Sequence, residues 1–316
     1  MQNKIVIVGA GSVGATFAYA LAQNGLAREI VLVDTNHERA LGEAMDLQQG
    51  TAFGTPVEIR VGDESDYGDA TAVVITAGAK QEPGETRLAL VGRNARILEG
   101  LIPRIVRTSF PGVLVMVSNP VDVLTQLAWQ ISGLPRQRVI GSGTVLDSAR
   151  LRALLSALCQ VDARNVHAMI VGEHGDSEIA AWSAATVGGI PIAEYCQSRD
   201  RCPSGGDTYR HLLDTVRRAA YEIISRKGAT YYAVGLSLVQ IWNAVARDER
   251  RVLPISSVHE EVAGVRDVAL SLPTVVGAAG VVQVLHMNLS HEEQEALRRS
   301  AETIRKTIED FHARAQ

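Results

Sequence analysis

One stretch near the amino terminus limits the fold of this chain more than any other. Lys4 to Val8 is a short run rich in β-branched residues, followed by Gly9-Ala10-Gly11-Ser12-Val13-Gly14 and a helical pattern from Ala15 to Asn24. A second strand pattern begins at Glu29 and ends on Asp34. In a dinucleotide fold the first glycine permits a tight turn, the second lets a pyrophosphate approach the backbone, and the third lets helix pack on strand. The helix amino terminus then offers N–H donors and a positive dipole end to the phosphates. An acid about 20 residues further on accepts hydrogen bonds from ribose hydroxyls. Asp34 stands there and repels a 2′-phosphate, so the pattern predicts NAD as cofactor.

The same stretch imitates a signal peptide. Lys4 precedes a mostly apolar run, Ile5 to Ala22, that ends Ala20-Leu21-Ala22. The glycines at 9, 11 and 14 break the would-be apolar segment at phosphate-loop spacing, and the pattern runs on into another strand, so that reading is rejected. No other stretch is apolar enough to span a bilayer.

Strand patterns near Val57 to Val61, Ala72 to Thr76, Val113 to Ser118 and Arg138 to Gly141 alternate with helical ones, about Leu88 to Ser109 (with Pro103 marking a kink or break) and Val121 to Ile131. Such alternation predicts a doubly wound parallel sheet, with ligands at the carboxyl ends of its strands. The turn Gly141-Ser142-Gly143-Thr144 enters a helix running to about Leu158. Beyond it come an apolar strand at Asn165 to Val171, helices at Thr208 to Arg226 and Val234 to Ala246, and antiparallel strands at Val252 to Val258 and Val268 to Pro273. Ser290-His291-Glu292-Glu293 is a capping box opening a last helix, with Leu297, Ala301, Ile304, Ile308 and Phe311 in one stripe. The expected organisation is a nucleotide-binding α/β domain over 1–143 and a mixed α+β substrate domain over 144–316.

Charge narrows the partners. A formal net charge of −4 gives no basic footprint for nucleic acid or an anionic membrane. Cys159, Cys196 and Cys202 lack metal-ligand spacing, and their odd number argues against a disulfide framework. A reducing, cytoplasmic setting and no metal are the expectation.

Two further stretches carry chemistry. Gly172-Glu173-His174-Gly175-Asp176 places one histidine between glycines at the end of a strand pattern, suited to proton exchange with an alcohol or ketone. Taken alone, that histidine is also what a solvated surface turn presents, so the other segments must supply a cofactor, an anion anchor and a partner for the imidazole. Asp147 and Arg150, three apart on a helix, share a face, whereas Arg152 points away from Arg150. The loop Ala77 to Arg87, rich in Gly, Pro and charge, has the composition of a mobile lid.

Together with Gln81 through Arg87, Ser118-Asn119-Pro120, Leu146-Asp147-Ser148-Ala149-Arg150 and Lys227-Gly228-Ala229-Thr230, these segments resemble the lactate/malate dehydrogenase family, and bacterial L-lactate dehydrogenases in particular, over nearly the whole chain. The resemblance implies that His174 exchanges a proton with the substrate oxygen, Asp147 orients the imidazole, Arg150 clamps the substrate carboxylate and Arg87 polarises the carbonyl. Gln81, Asn119 and Thr230 would line the same pocket. The cofactor set it implies is Gly9, Gly11, Ser12, Val13, Gly14, Asp34, Arg39, Tyr67, Ala77, Gly78, Ala79, Val117, Asn119 and Ser142. It also implies a homotetramer built as a dimer of dimers, and fructose 1,6-bisphosphate as an effector bound by Arg152 and His167. A neutral Gln81 over the variable end of the substrate favours pyruvate, because oxaloacetate brings a second carboxylate that needs a cation. A malate or broader 2-hydroxy-acid dehydrogenase remains open, as does a catalytically silent NAD-binding scaffold.

Overall fold

The computed structural model describes residues 3–79, 85–197 and 206–315. Strand β1 (Lys4–Val8) is buried at all five positions. Helix α1 (Ser12–Gln23) follows it, then β2 (Glu29–Val33), α2 (His37–Gly50), β3 (Glu58–Val61) and β4 (Ala72–Ile75). Strand β1 lies between β2 and β4, parallel to both. Its side chains alternate between two cores: Ile5 and Ile7 enter one, Val6 and Val8 the other. A parallel strand covered by helices on both faces must be apolar throughout, as this one is.

The sheet grows through α3 (Arg87–Val106), β5 (Val113–Met116), α4 (Val121–Ser132) and β6 (Val139–Gly141). Pro103 is accommodated inside α3, which ends three residues later at Val106 and does not reach Ser109. The second half opens with α5 (Val145–Cys159), β7 (Val166–His167), β8 (Ile170–Val171), β9 (Ile179–Ala180), β10 (Thr186–Val187), β11 (Ile190–Pro191) and α6 (Ile192–Gln197). The single strand expected over Asn165 to Val171 is thus two short ones. They diverge because β7 pairs with β10 and β8 with β9, in different sheets.

The remaining elements are α7 (Gly206–Lys227), α8 (Tyr232–Ala246), β12 (Arg251–Val262), β13 (Val265–Gly277), β14 (Gly280–Val284) and α9 (His291–Ala315). The antiparallel strands do not form a sheet of their own. β12 pairs with β6, giving one nine-stranded sheet in the order β14-β13-β12-β6-β5-β4-β1-β2-β3. Helix α8 returns onto α1, where a Cβ at Gly235 would lie 2.9 Å from the Thr16 methyl, and the Trp242 indole donates to the Leu26 carbonyl at 2.8 Å. The capping box closes on both sides: Glu293 N–H donates to Ser290 Oγ at 3.2 Å, and Ser290 N–H to Glu293 Oε2 at 2.8 Å. Leu297, Ala301, Ile304 and Ile308 of α9 are buried, with Phe311 packed beside them.

Cys196 is disulfide-bonded. This corrects the expectation drawn from three cysteines: an odd count excludes complete pairing but leaves room for one bridge. Among the described residues, no helix is long and apolar enough to cross a membrane.

Candidate active site

Sheet order reverses between β1 and β4, so their carboxyl ends open a crevice at the switch point where α/β sheets take ligands. Gly9 turns there with φ +108°, a conformation that side chains rarely adopt, and a Cβ on it would sit 2.6 Å from Ala77 N. A Cβ on Gly14 would lie 2.0 Å from the Gly9 carbonyl oxygen, so glycine is what lets α1 pack this close to β1. Gly11 differs: nothing lies within 4 Å of the Cβ it lacks. It is the N-cap of α1, no side chain caps it, and the first turn carries no acid. The result is a set of backbone donors facing open space, the environment a pyrophosphate requires. Asp34 lies at the same edge and accepts a 2.7 Å hydrogen bond from Ala10 N–H through Oδ2, which holds its carboxylate against the turn. The residues present therefore fit NAD.

Across the crevice, Asn94 of α3 ties two loops together. Its Oδ1 accepts from Ala79 N–H at 2.7 Å and its Nδ2 donates to the Asn119 carbonyl at 2.8 Å. Ser118 Oγ adds a 2.6 Å bond to the Ala77 carbonyl. Ala77 to Ala79, Val117, Asn119 and Ser142 line this edge half-buried or exposed, and Ser12, Val13 and Arg39 are likewise accessible. Tyr67 is not brought to it: its ring is 1% exposed and packs in the core, where burial raises its pKa to about 12. Asn94, itself buried, carries no mark in the sequence; a polar residue inside an amphipathic helix signals nothing until its neighbours are known.

The histidine loop is anchored on three sides. Gly172 (φ +87°) exchanges backbone bonds of 2.8 and 2.9 Å with Ser271 of β13. Glu173 N–H donates to Ser300 Oγ of α9 at 2.8 Å, and His174 N–H to Asp122 Oδ2 of α4 at 2.7 Å. Helix α5 is fixed against β8 by Thr144 Oγ1, which donates to the Ile170 carbonyl at 2.6 Å, and by Ser148 Oγ, which accepts from Ile170 N–H at 2.8 Å. These attachments bring Asp147 to His174, with Nδ1 and Oδ2 2.5 Å apart. The other carboxylate oxygen accepts from Arg150 Nη1 at 2.8 Å. Asp147 is 3% exposed and Arg150 14%, so water screens this chain of charges poorly.

The electrostatics follow from that burial. Desolvation alone would raise the Asp147 pKa, but the charges and hydrogen bonds of His174 and Arg150 outweigh it and hold it below the ordinary value. For His174 desolvation acts downward. The attraction and hydrogen bond of Asp147 outweigh it, with Asp122 and Glu178 adding, and the imidazole pKa is raised to about 9. With Nδ1 engaged, the second ring nitrogen is left to face a substrate. Arg150 Nη2 is buried with no hydrogen-bond partner among the described residues. A buried guanidinium N–H left open beside a protonated imidazole suits a carboxylate next to a carbonyl.

Thr230 lies half-buried between α7 and α8, with no hydrogen bond to this group among the described residues. Arg152 and His167 are exposed, on α5 and on the β7 strand that packs against it. Gln81 and the side chain of Arg87 lie outside the described residues.

Family models match the whole of this architecture: the lactate/malate dehydrogenase NAD-binding domain over residues 3–141 and the lactate/malate dehydrogenase α/β carboxyl-terminal domain over residues 144–315. The chain belongs to the lactate/malate dehydrogenase family. It is an NAD-dependent oxidoreductase. An L-lactate dehydrogenase of a Thermoanaerobacter species is 50% identical over 310 residues, covering 98% of this chain and 99% of that protein. One from Clostridium perfringens is 48% identical over 304 residues, 96% and 95% of the two. Among solved structures, a lactate dehydrogenase from a Medee basin deep-sea metagenome superposes with a TM-score of 0.95 at 46% identity, covering 99% of this chain and all of that one. The minor L-lactate dehydrogenase of Enterococcus mundtii gives 0.93 at 42% identity, covering 98% of each chain.

Proposed function

We propose that the protein is an L-lactate dehydrogenase interconverting pyruvate and L-lactate, with residues 1–143 holding the nucleotide and 144–316 the substrate. The observation that carries this reading is the buried Arg150–Asp147–His174 chain with one arginine N–H still open. The names of the relatives support the substrate.

In the reductive direction Arg150 binds the carboxylate, which fixes the keto oxygen near the imidazole. His174 gives that oxygen the proton on its second ring nitrogen, and Asp147 steadies both charge states of the ring, the role of an orienting carboxylate. The hydride for the carbonyl carbon is what NADH supplies when bound. Asn119 and Arg87 stabilise negative charge growing on the oxygen, and Thr230 lines the pocket. The neutral Gln81, assigned by the family resemblance to the variable end of the substrate, favours pyruvate, because an arginine in that role without a second substrate carboxylate is costly. Gly9, Gly11, Ser12, Val13, Gly14, Asp34, Arg39, Ala77 to Ala79, Val117, Asn119 and Ser142 hold the nucleotide.

Three finer statements belong to the same proposal. The enzyme is a cytoplasmic homotetramer, which light scattering across a dilution series tests. Arg152 and His167, both exposed, bind fructose 1,6-bisphosphate across a two-fold axis. Pyruvate saturation curves that overlap with and without the bisphosphate exclude that effector.

Substrate choice is tested by following NADH oxidation with pyruvate, oxaloacetate and 2-oxobutyrate. The account predicts the highest kcat/KM for pyruvate. A preference for oxaloacetate transfers the assignment to the malate branch of the family, and no turnover with any of them despite NADH binding makes the protein a silent scaffold.

A further inference from the structure

The loop that carries His174 ends on a second buried acid, to which no substrate contact or proton transfer is assigned above. Glu178 is 2% exposed, and atoms of its carboxyl group, of Asp147 and of the His174 ring all lie within 4.8 Å of one another. Asp147 is satisfied on both oxygens, by His174 and by Arg150. Glu178 is not: its Oε1 is buried and has no hydrogen-bond partner among the described residues. From α7, Arg217 approaches but spends Nη2 on the Glu178 backbone carbonyl, at 2.6 Å, and sets Nη1 3.6 Å from Asp214.

Charge balance makes this position consequential. With His174 protonated, the charged groups around it are His174 and Arg150, both cationic, and Asp147 and Asp122, both anionic; Arg217 and Asp214 offset each other. These four cancel, and the single carboxylate of a 2-oxo acid is matched by the charge of Arg87 assigned above to the pocket. An ionised Glu178 leaves one net negative charge, and adds a carboxylate beside Asp147 in a site where like charges repel strongly.

Building on the dehydrogenase reading above, we propose that Glu178 is a positioning residue that must be the neutral acid when the 2-oxo acid binds. Productive capture then requires two protons at the site, one on His174 that is delivered to the substrate and one on Glu178 that is kept. The electrostatics run the same way. Burial, then the negative charge of Asp147, push the Glu178 pKa up to about 8 against the opposing pull of His174, Arg217 and Arg150. Glu178 is therefore mostly protonated at neutral pH and ionises in the range where His174 also loses its proton.

The test is the alkaline limb of log kcat/KM for pyruvate against pH, in wild type, Glu178→Gln and Glu178→Asp, with NADH binding measured at each pH. If two protons are needed, the wild-type limb steepens toward a slope of minus two above roughly pH 9, where both groups are losing protons. Glu178→Gln, a neutral isostere, gives minus one, and keeps a neutral-pH kcat/KM within about threefold of wild type because it copies the neutral acid. Glu178→Asp retains an ionisable group and so the steeper limb. Should the glutamine variant fail to fold, Glu178→Ser carries the same prediction. A wild-type slope of minus one, or a glutamine variant as steep as wild type, overturns the proposal. An enzyme that reduces oxaloacetate and not pyruvate contradicts the substrate assignment instead, and the same slopes are then read with oxaloacetate.

Discussion

The nucleotide crevice and the proton site are built on opposite principles. At the pyrophosphate turn of the crevice the working atoms are backbone, released by the lack of side chains at Gly9, Gly11 and Gly14, and they come from one short stretch. At the proton site the working atoms are side chains from α4, α5, the loop after β8 and α7, gathered by the closing of the whole fold. The first is local and needs little packing to be specified. The second is non-local, and its electrostatics exist only once the second half has buried Asp147. Substitutions should accordingly separate binding from chemistry.

The largest effect is expected at His174. Replacing it with alanine removes the proton donor, so kcat for pyruvate reduction should fall about 10²–10⁴-fold while NADH affinity stays near wild type. Fluorescence titration of NADH beside steady-state rates checks both halves; near-normal turnover breaks the division of labour.

Gly14 and Gly11 test the other region. A methyl group at Gly14 meets a backbone oxygen at 2.0 Å that cannot move without shifting β1 or α1. Gly14→Ala should cost about 1–3 kcal/mol of stability, seen as a lower Tm, and weaken NADH binding as well. Gly11→Ala meets nothing, so Tm should hold while NADH affinity falls, because the methyl group occupies space the pyrophosphate needs. Equal losses of Tm in the two variants contradict the distinct roles given to these glycines.

The smallest effect on nucleotide binding is expected where the regions meet. Asn94→Ala leaves Ala79 N–H and the Asn119 carbonyl without their partner. A loss of about 1–3 kcal/mol in stability is expected, with KM raised more than kcat is lowered. No change in KM means that the two loops hold their places unaided.

The same contrast explains what could be read from the chain. The glycine spacing, Asp34, the Asp147–Arg150 pair and the Ser290 capping box were legible because each is set by backbone geometry within a few residues or one βαβ unit. Helix α2 gave no clear signal, since its buried residues are only Ala40 and Ala44, two small side chains without an apolar stripe. The split of Val166 to Val171 into two strands depends on which partners they find, as does the docking of β12 on β6. Asp122, Asn94 and Glu178 look like ordinary polar positions until packing encloses them.

The central claim is that buried Asp147 keeps His174 charged and ready to donate. The direct measurement is an NMR titration of isotope-labelled histidine, with the His174 resonance assigned by its loss in His174→Gln. The account predicts a midpoint near pH 9 in wild type, against an ordinary 6.5. In Asp147→Asn it predicts a midpoint at or below 6.5, because burial then acts without its counter-charge. A wild-type midpoint near 6.5, or one that Asp147→Asn leaves unmoved, would contradict it.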